Sequence, residues 1–74
     1  MKCKISMFWD DEACVWVATS DDMPGLVLED GSFEGLVNEV KLALPTLVEL
    51  NGLSYSFVDL EFVTQRLERL ALVG

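Results

Sequence analysis

Seventy-four residues leave room for one domain, 1–74, and a domain of this size buries only about 60% of the surface its unfolded chain exposes, so a homodimer is expected to cover some of the remainder. The composition is 51% hydrophobic with two Trp and four Phe, which excludes intrinsic disorder. Thirteen Asp and Glu against five Lys and Arg give a net charge of -8, the wrong sign for gripping phosphates, and no apolar run is long enough to span a bilayer; direct nucleic-acid and membrane partners are not expected.

Residues 2–9 alternate, with Cys3, Ile5, Met7 and Trp9 on one face and Lys2, Lys4, Ser6 and Phe8 on the other, as in a half-buried strand. Asp10-Asp11-Glu12 reads as an acidic turn, since Asp accepts local backbone hydrogen bonds and has poor strand propensity. Residues 13–19 resume as Ala-Cys-Val-Trp-Val-Ala-Thr, apolar on both faces, which suits a strand in the interior of a sheet. Pairing Trp9 with Ala13 across this turn would set Cys14 opposite Phe8 and Cys3 opposite Thr19, leaving two free thiols buried in strands and suited to a reducing cytoplasm.

Ser20–Gly25 is the second connection. Pro24 disfavours helix at Met23, and Gly25 is free to take a positive φ. Leu26–Glu29 forms a short third strand, closed by Asp30-Gly31. Ser32 then serves as N-cap, with Glu34 in the first turn where the helix dipole favours acid. Phe33, Leu36, Val37, Val40 and Leu44 follow at helical spacing. Pro45 predicts either a kink near Leu44 or a break and restart, and Asn51-Gly52 is a good C-cap pair. Leu53–Ser56 reads as a loop. The tail from Phe57 to Val73 fits both periods: Val58, Leu60 and Phe62 alternate as in a strand, while Phe57, Leu60, Val63, Leu67 and Leu70 line one side of a helix.

The chain contains no His, so serine and cysteine triads of the usual kind are excluded, and two Cys cannot complete a zinc site. Asp10, Asp11, Glu12, Asp21 and Asp22 all fall in turns, where acids more commonly cap backbone than bind Mg2+ or transfer protons. Gly25, Gly31 and Gly35 lack phosphate-binding spacing. No cofactor, metal or catalytic residue is expected. Trp16, in the two-faced run, reads as core or interface, and Trp9, at a strand end beside acid, as partly exposed.

Val15-Trp16-Val17-Ala18-Thr19-Ser20-Asp21-Asp22-Met23-Pro24-Gly25-Leu26, followed by Gly31-Ser32-Phe33-Glu34-Gly35-Leu36 and an apolar helix, resembles the HicB-like antitoxin domain. The likeness is closer to small single-domain HicB-like proteins of unassigned function, through Ala18-Thr19-Ser20, Pro24-Gly25-Leu26, Leu44-Pro45 and Glu49-Leu50-Asn51-Gly52. It covers roughly residues 5–52. It implies a truncated ribonuclease-H-like sheet lacking the nuclease's acids, and a last strand over about 57–69 returning to the sheet. HicB antitoxins neutralise a small basic RNA-cleaving toxin, and many carry an added DNA-binding domain; the 22 residues after 52 are too few for one here.

The expected fold is α+β: a small antiparallel sheet with one main helix on one face, in the order β-β-β-α-β. The expected function is non-catalytic binding of a protein partner, a small basic toxin if the resemblance extends that far. Asp10, Asp11, Glu12, Asp21 and Asp22 would supply the complementary charge and Trp9 the apolar anchor. The alternatives are a degenerate Mg-dependent ribonuclease-H-like nuclease and a structural subunit.

Overall fold

Alternation along the first strand decides which side of the sheet is covered. The computed structural model describes residues 1–73, and in it β1 (Lys2–Asp10) buries Cys3, Ile5 and Met7 while Lys2, Lys4, Ser6 and Phe8 face outward. β2 (Val15–Thr19) pairs antiparallel with β1, and β3 (Val27–Asp30) antiparallel with β2. After α1 (Phe33–Leu50), β4 (Asp59–Gln65) returns to the other side of β1 and runs parallel to it. The sheet order is β3-β2-β1-β4. The α+β class and the β-β-β-α-β order are as expected, and the parallel β1–β4 pair makes the sheet mixed.

Helix α1 lies on the face that carries Ile5. Ser32 caps it, its Oγ accepting from the Gly35 N–H at 3.1 Å. Leu36, Val40 and Leu44 form its buried stripe and meet Cys3, Ile5, Met7 and Ala18. The helix neither breaks nor restarts at Pro45. Pro45 and Lys41 are both exposed, so water can serve the Lys41 carbonyl that the proline leaves without a donor. At the far end Asn51 closes the last turn, and its Nδ2 also donates to the Pro24 carbonyl at 3.1 Å. Gly25 sits at φ +90, a conformation closed to most side chains, and the corner it makes folds Met23 and Leu26 into the core under the helix.

Three expectations about strand ends are corrected, each for a local reason. Trp9 pairs with Trp16, not Ala13. The Asp10 Oδ1 accepts from the Glu12 and Ala13 N–H groups at 3.0 and 3.2 Å, which draws residues 11–14 into the turn. Cys14 closes that turn at φ 55 and is exposed, so only Cys3 is a buried thiol; both cysteines are free. The last strand is Asp59–Gln65, shorter than 57–69, and its pairing starts where β1 starts, at Lys2. Its first residue donates to the Met1 carbonyl at 2.8 Å, and its last pairs with Phe8. Past Gln65 the ladder with β4 stops although β1 runs on through Trp9 and Asp10; Arg66 instead rests its guanidinium on Trp9.

Leu36 is fully buried between the sheet and the rest of the helix. Leu36→Ala is expected to cost about 2–5 kcal/mol in urea unfolding; a loss under about 1 kcal/mol would show that the helix does not dock on β1 as described.

Candidate functional site

Parallel pairing brings the end of β4 to the same end of the sheet as the finish of β1, the start of β2 and the entry to the helix. Four side chains converge there. The Trp9 and Trp16 rings lie 5.5 Å apart, edge to face at 64°, and Trp16 meets Phe33 at 5.1 Å and 82°. The guanidinium carbon of Arg66 stands 4.6 Å from the Trp9 ring centre and 5.8 Å from that of Trp16, a cation–π arrangement. Trp9, Trp16 and Phe33 are each half-buried. The result is an aromatic ladder with one cation resting on its end.

Acid surrounds this ladder. Asp10, Asp11 and Glu12 occupy the β1–β2 turn beside it, and the Asp11 Oδ1 accepts from the Trp9 indole N–H at 2.8 Å, fixing that ring. Asp30 pairs with Trp16 across the sheet and accepts the Ser32 N–H at 2.7 Å. Gly35 leaves space for that carboxylate: a β-carbon there would come within 2.9 Å of the Asp30 Oδ1. The Ser32 N–H holds Asp30 below the usual carboxylate range, helped by a hydrogen bond shared with Glu39. The same shared hydrogen bond, with some burial and the nearby Asp30 charge, raises Glu39 above its ordinary value.

Asp21 and Asp22 are not part of this corner. The Asp22 Oδ2 accepts the Lys4 backbone N–H at 2.8 Å, and Ser20 Oγ donates to the Lys4 carbonyl at 2.7 Å. These two side chains continue the ladder of β1 where β2 has ended. Six residues of strand separate Lys4 from Asp10, about 20 Å at strand rise, so the five acids form two groups. Trp9, Asp10, Asp11 and Glu12 stand together at one end, Asp21 and Asp22 toward the other.

Sequence reasoning passed over Trp16, Phe33 and Arg66 as site residues. Trp16 reads as core or interface and Phe33 as part of the helix's apolar stripe, because each sits in an apolar pattern, and Arg66 falls in the segment that fits both periods. A correct register for the first turn would have revealed the Trp9–Trp16 pair.

With this geometry in place, residues 2–73 match the family described as a domain of unknown function, DUF1902. The chain belongs to that family. A similar solved structure is the crystal structure of a hypothetical protein from the extremely thermophilic bacterium Thermus thermophilus. It is 35% identical, with a TM-score of 0.73 over 97% of this chain and 100% of that one. No curated protein matches the chain. Among the described residues of this DUF1902 domain, no helix is long and apolar enough to cross a membrane.

The Asp30–Glu39 pair makes a prediction with a definite sign. In carboxyl 13C NMR, Glu39 should titrate above and Asp30 below the values of the unfolded chain. The Glu39 contribution to stability is present below its unfolded pKa and lost as pH rises through its folded pKa; the Asp30 contribution is present above its unfolded pKa and lost as pH falls through its folded one. Glu39→Gln, which donates at every pH, should leave the Asp30 midpoint low. Ordinary midpoints for both would rule out the shared proton.

Proposed function

We propose that this chain is a non-catalytic binding module that holds a small basic protein, in the manner of an antitoxin holding its toxin. The observation that carries the reading is Arg66 on Trp9. At 4.6 Å the ring already accepts a guanidinium, with Asp10, Asp11 and Glu12 close by to attract more positive charge. An arginine from a partner would find the same aromatic face and the same acid. Large, rigid, half-buried Trp side chains are the kind of anchor on which interfaces concentrate their energy.

The overall charge of -8 supports the basic sign of the partner, and would speed encounter through long-range steering. The likeness to HicB antitoxins, through Pro24-Gly25-Leu26, Ser32-Phe33-Glu34 and Glu49-Leu50-Asn51-Gly52, favours a small RNA-cleaving toxin as that partner. A reducing cytoplasm is the proposed location, in keeping with two free thiols, one of them exposed. Asp21 and Asp22 contribute only to the general field in this reading, since Asp22 is engaged in closing the edge of β1.

Affinity purification from the native host in low and high salt is the test. A basic protein should be retained in low salt, weakened by salt, and lost about tenfold or more on Trp9→Ala; Asp21→Asn should have little effect. No basic protein in either condition would remove the proposal. Hydrolysis of labelled RNA or DNA by the pure protein, abolished by Asp21→Asn or Asp22→Asn, would replace it with the nuclease reading.

A further inference from the structure

β4 is the last strand in the order β3-β2-β1-β4, and its outer edge is open. The Asp59 N–H points to the Met1 carbonyl, so the odd-numbered backbone groups of β4 are spent on β1 and those of Leu60, Phe62 and Thr64 point out from the edge. An open strand edge is a template for another strand. The chain continues past it as residues 66–73, which have no regular structure and carry Leu67, Leu70, Leu72 and Val73 at 93, 83, 89 and 99% exposure. The radius of gyration, 14.7 Å, against about 11 Å for a compact chain of this length, reflects the same projecting tail.

A third feature lies at the opposite end of β4. An open groove of about 420 Å³ runs between the second half of the helix and the start of the strand, lined by Leu44, Pro45, Val48, Val58 and Leu60 among others. The tail of the same chain leaves β4 at the far end, about 20 Å away. To reach the groove it would have to reverse within Thr64-Gln65-Arg66-Leu67-Glu68-Arg69-Leu70, which contains none of the Gly, Asn, Asp or Pro that tight reversals use.

We propose that a second copy of this chain covers both features: two β4 strands pair antiparallel about a two-fold axis at Gln65, and each tail adds a fifth strand to the other copy's sheet. Residues whose numbers sum to 130 then face each other. On the helix side Leu60 meets Leu70 and Val58 meets Leu72 of the other copy, so the two leucines enter the groove. On the outer side Val63 meets Leu67, and Glu61 meets Arg69 with opposite charge. The outward backbone groups of Leu60, Phe62 and Thr64 fall opposite those of Leu70, Glu68 and Arg66, as an antiparallel ladder requires. Neighbouring registers fit less well. A sum of 128 moves Leu72 from Val58 onto Ser56, and a sum of 132 sets Arg66 against Arg66 and Glu61 against Ala71. Glu68 lies opposite an apolar residue both here (Phe62) and at a sum of 128 (Leu60), so it does not separate the two.

This contact and the acidic corner share Arg66, which rests on Trp9 in one and lies opposite Thr64 of the second copy in the other, but their tests are separate: oligomeric state here, retention of a basic protein there. Sedimentation equilibrium of the full chain should give twice its 8.3 kDa mass at micromolar concentration. Leu70→Glu with Leu72→Glu alters side chains exposed in the single chain, and should leave circular dichroism intact while giving a monomer. In a Cys14→Ser background, where Cys3 is buried, single cysteines at 64, 65, 66 and 67 should oxidise to a covalent dimer most readily at Gln65→Cys. A monomeric full chain, or a dimer unaffected by the double glutamate variant, would overturn the contact. Fastest crosslinking at 64, 66 or 67 would overturn the register.

Discussion

The parallel pairing of β4 with β1 is the constraint on which the other features rest. Parallel neighbours cannot be joined by a tight turn; the chain must cross over the sheet, and here α1 makes the crossing. That crossing lays Leu36, Val40 and Leu44 over Cys3, Ile5 and Met7 and creates the core. The direction of β4 then puts its last residue beside Phe8, so Arg66 arrives at Trp9 and the tail leaves from the acidic end of the sheet. An antiparallel last strand would have placed Arg66 at the other end, with neither aromatic within reach.

Magnitudes explain why the corner suits recognition more than stability. An edge-to-face aromatic pair contributes about 0.5–1.5 kcal/mol beyond its buried area, and an exposed cation–π contact about 0.5–1 kcal/mol. A single core leucine is worth several times as much. The Arg66 contact is therefore weak enough for an incoming arginine to replace it without disturbing the fold. The Arg66–Glu68 ion pair, at 2.6 Å on an exposed segment, adds little resistance. Asp11 has the opposite role: by accepting the Trp9 indole N–H it holds the ring in place, so less freedom is lost when a partner binds.

Much of this was legible in the sequence, and the failures share one cause. The face of β1, the interior position of β2, the Ser32 cap and the Gly25 corner follow from local rules of alternation, capping and turn chemistry and hold, while the strand after the helix, which fits both periods locally, was expected only from the family resemblance. The misplaced features are those fixed between segments distant in sequence or by a side chain bonding to nearby backbone. The Asp10 side chain decides how many residues the first turn takes, and hence that Trp9 faces Trp16. The ladder between β4 and β1 stops at Gln65, where Arg66 turns to Trp9, although β1 runs on to Asp10. Ser20 and Asp22 close the strand edge against Lys4, a task that their position in a polar turn does not announce.

The claim at the centre is that the Trp9–Trp16 end of the sheet is a receptor for positively charged protein side chains. Titrating 15N-labelled protein with a short arginine-rich peptide measures this directly. The largest shifts should fall on the indole N–H signals of Trp9 and Trp16 and on Arg66, with weakening as salt is raised. Shifts confined to Asp21 and Asp22, or none at millimolar peptide, would contradict it.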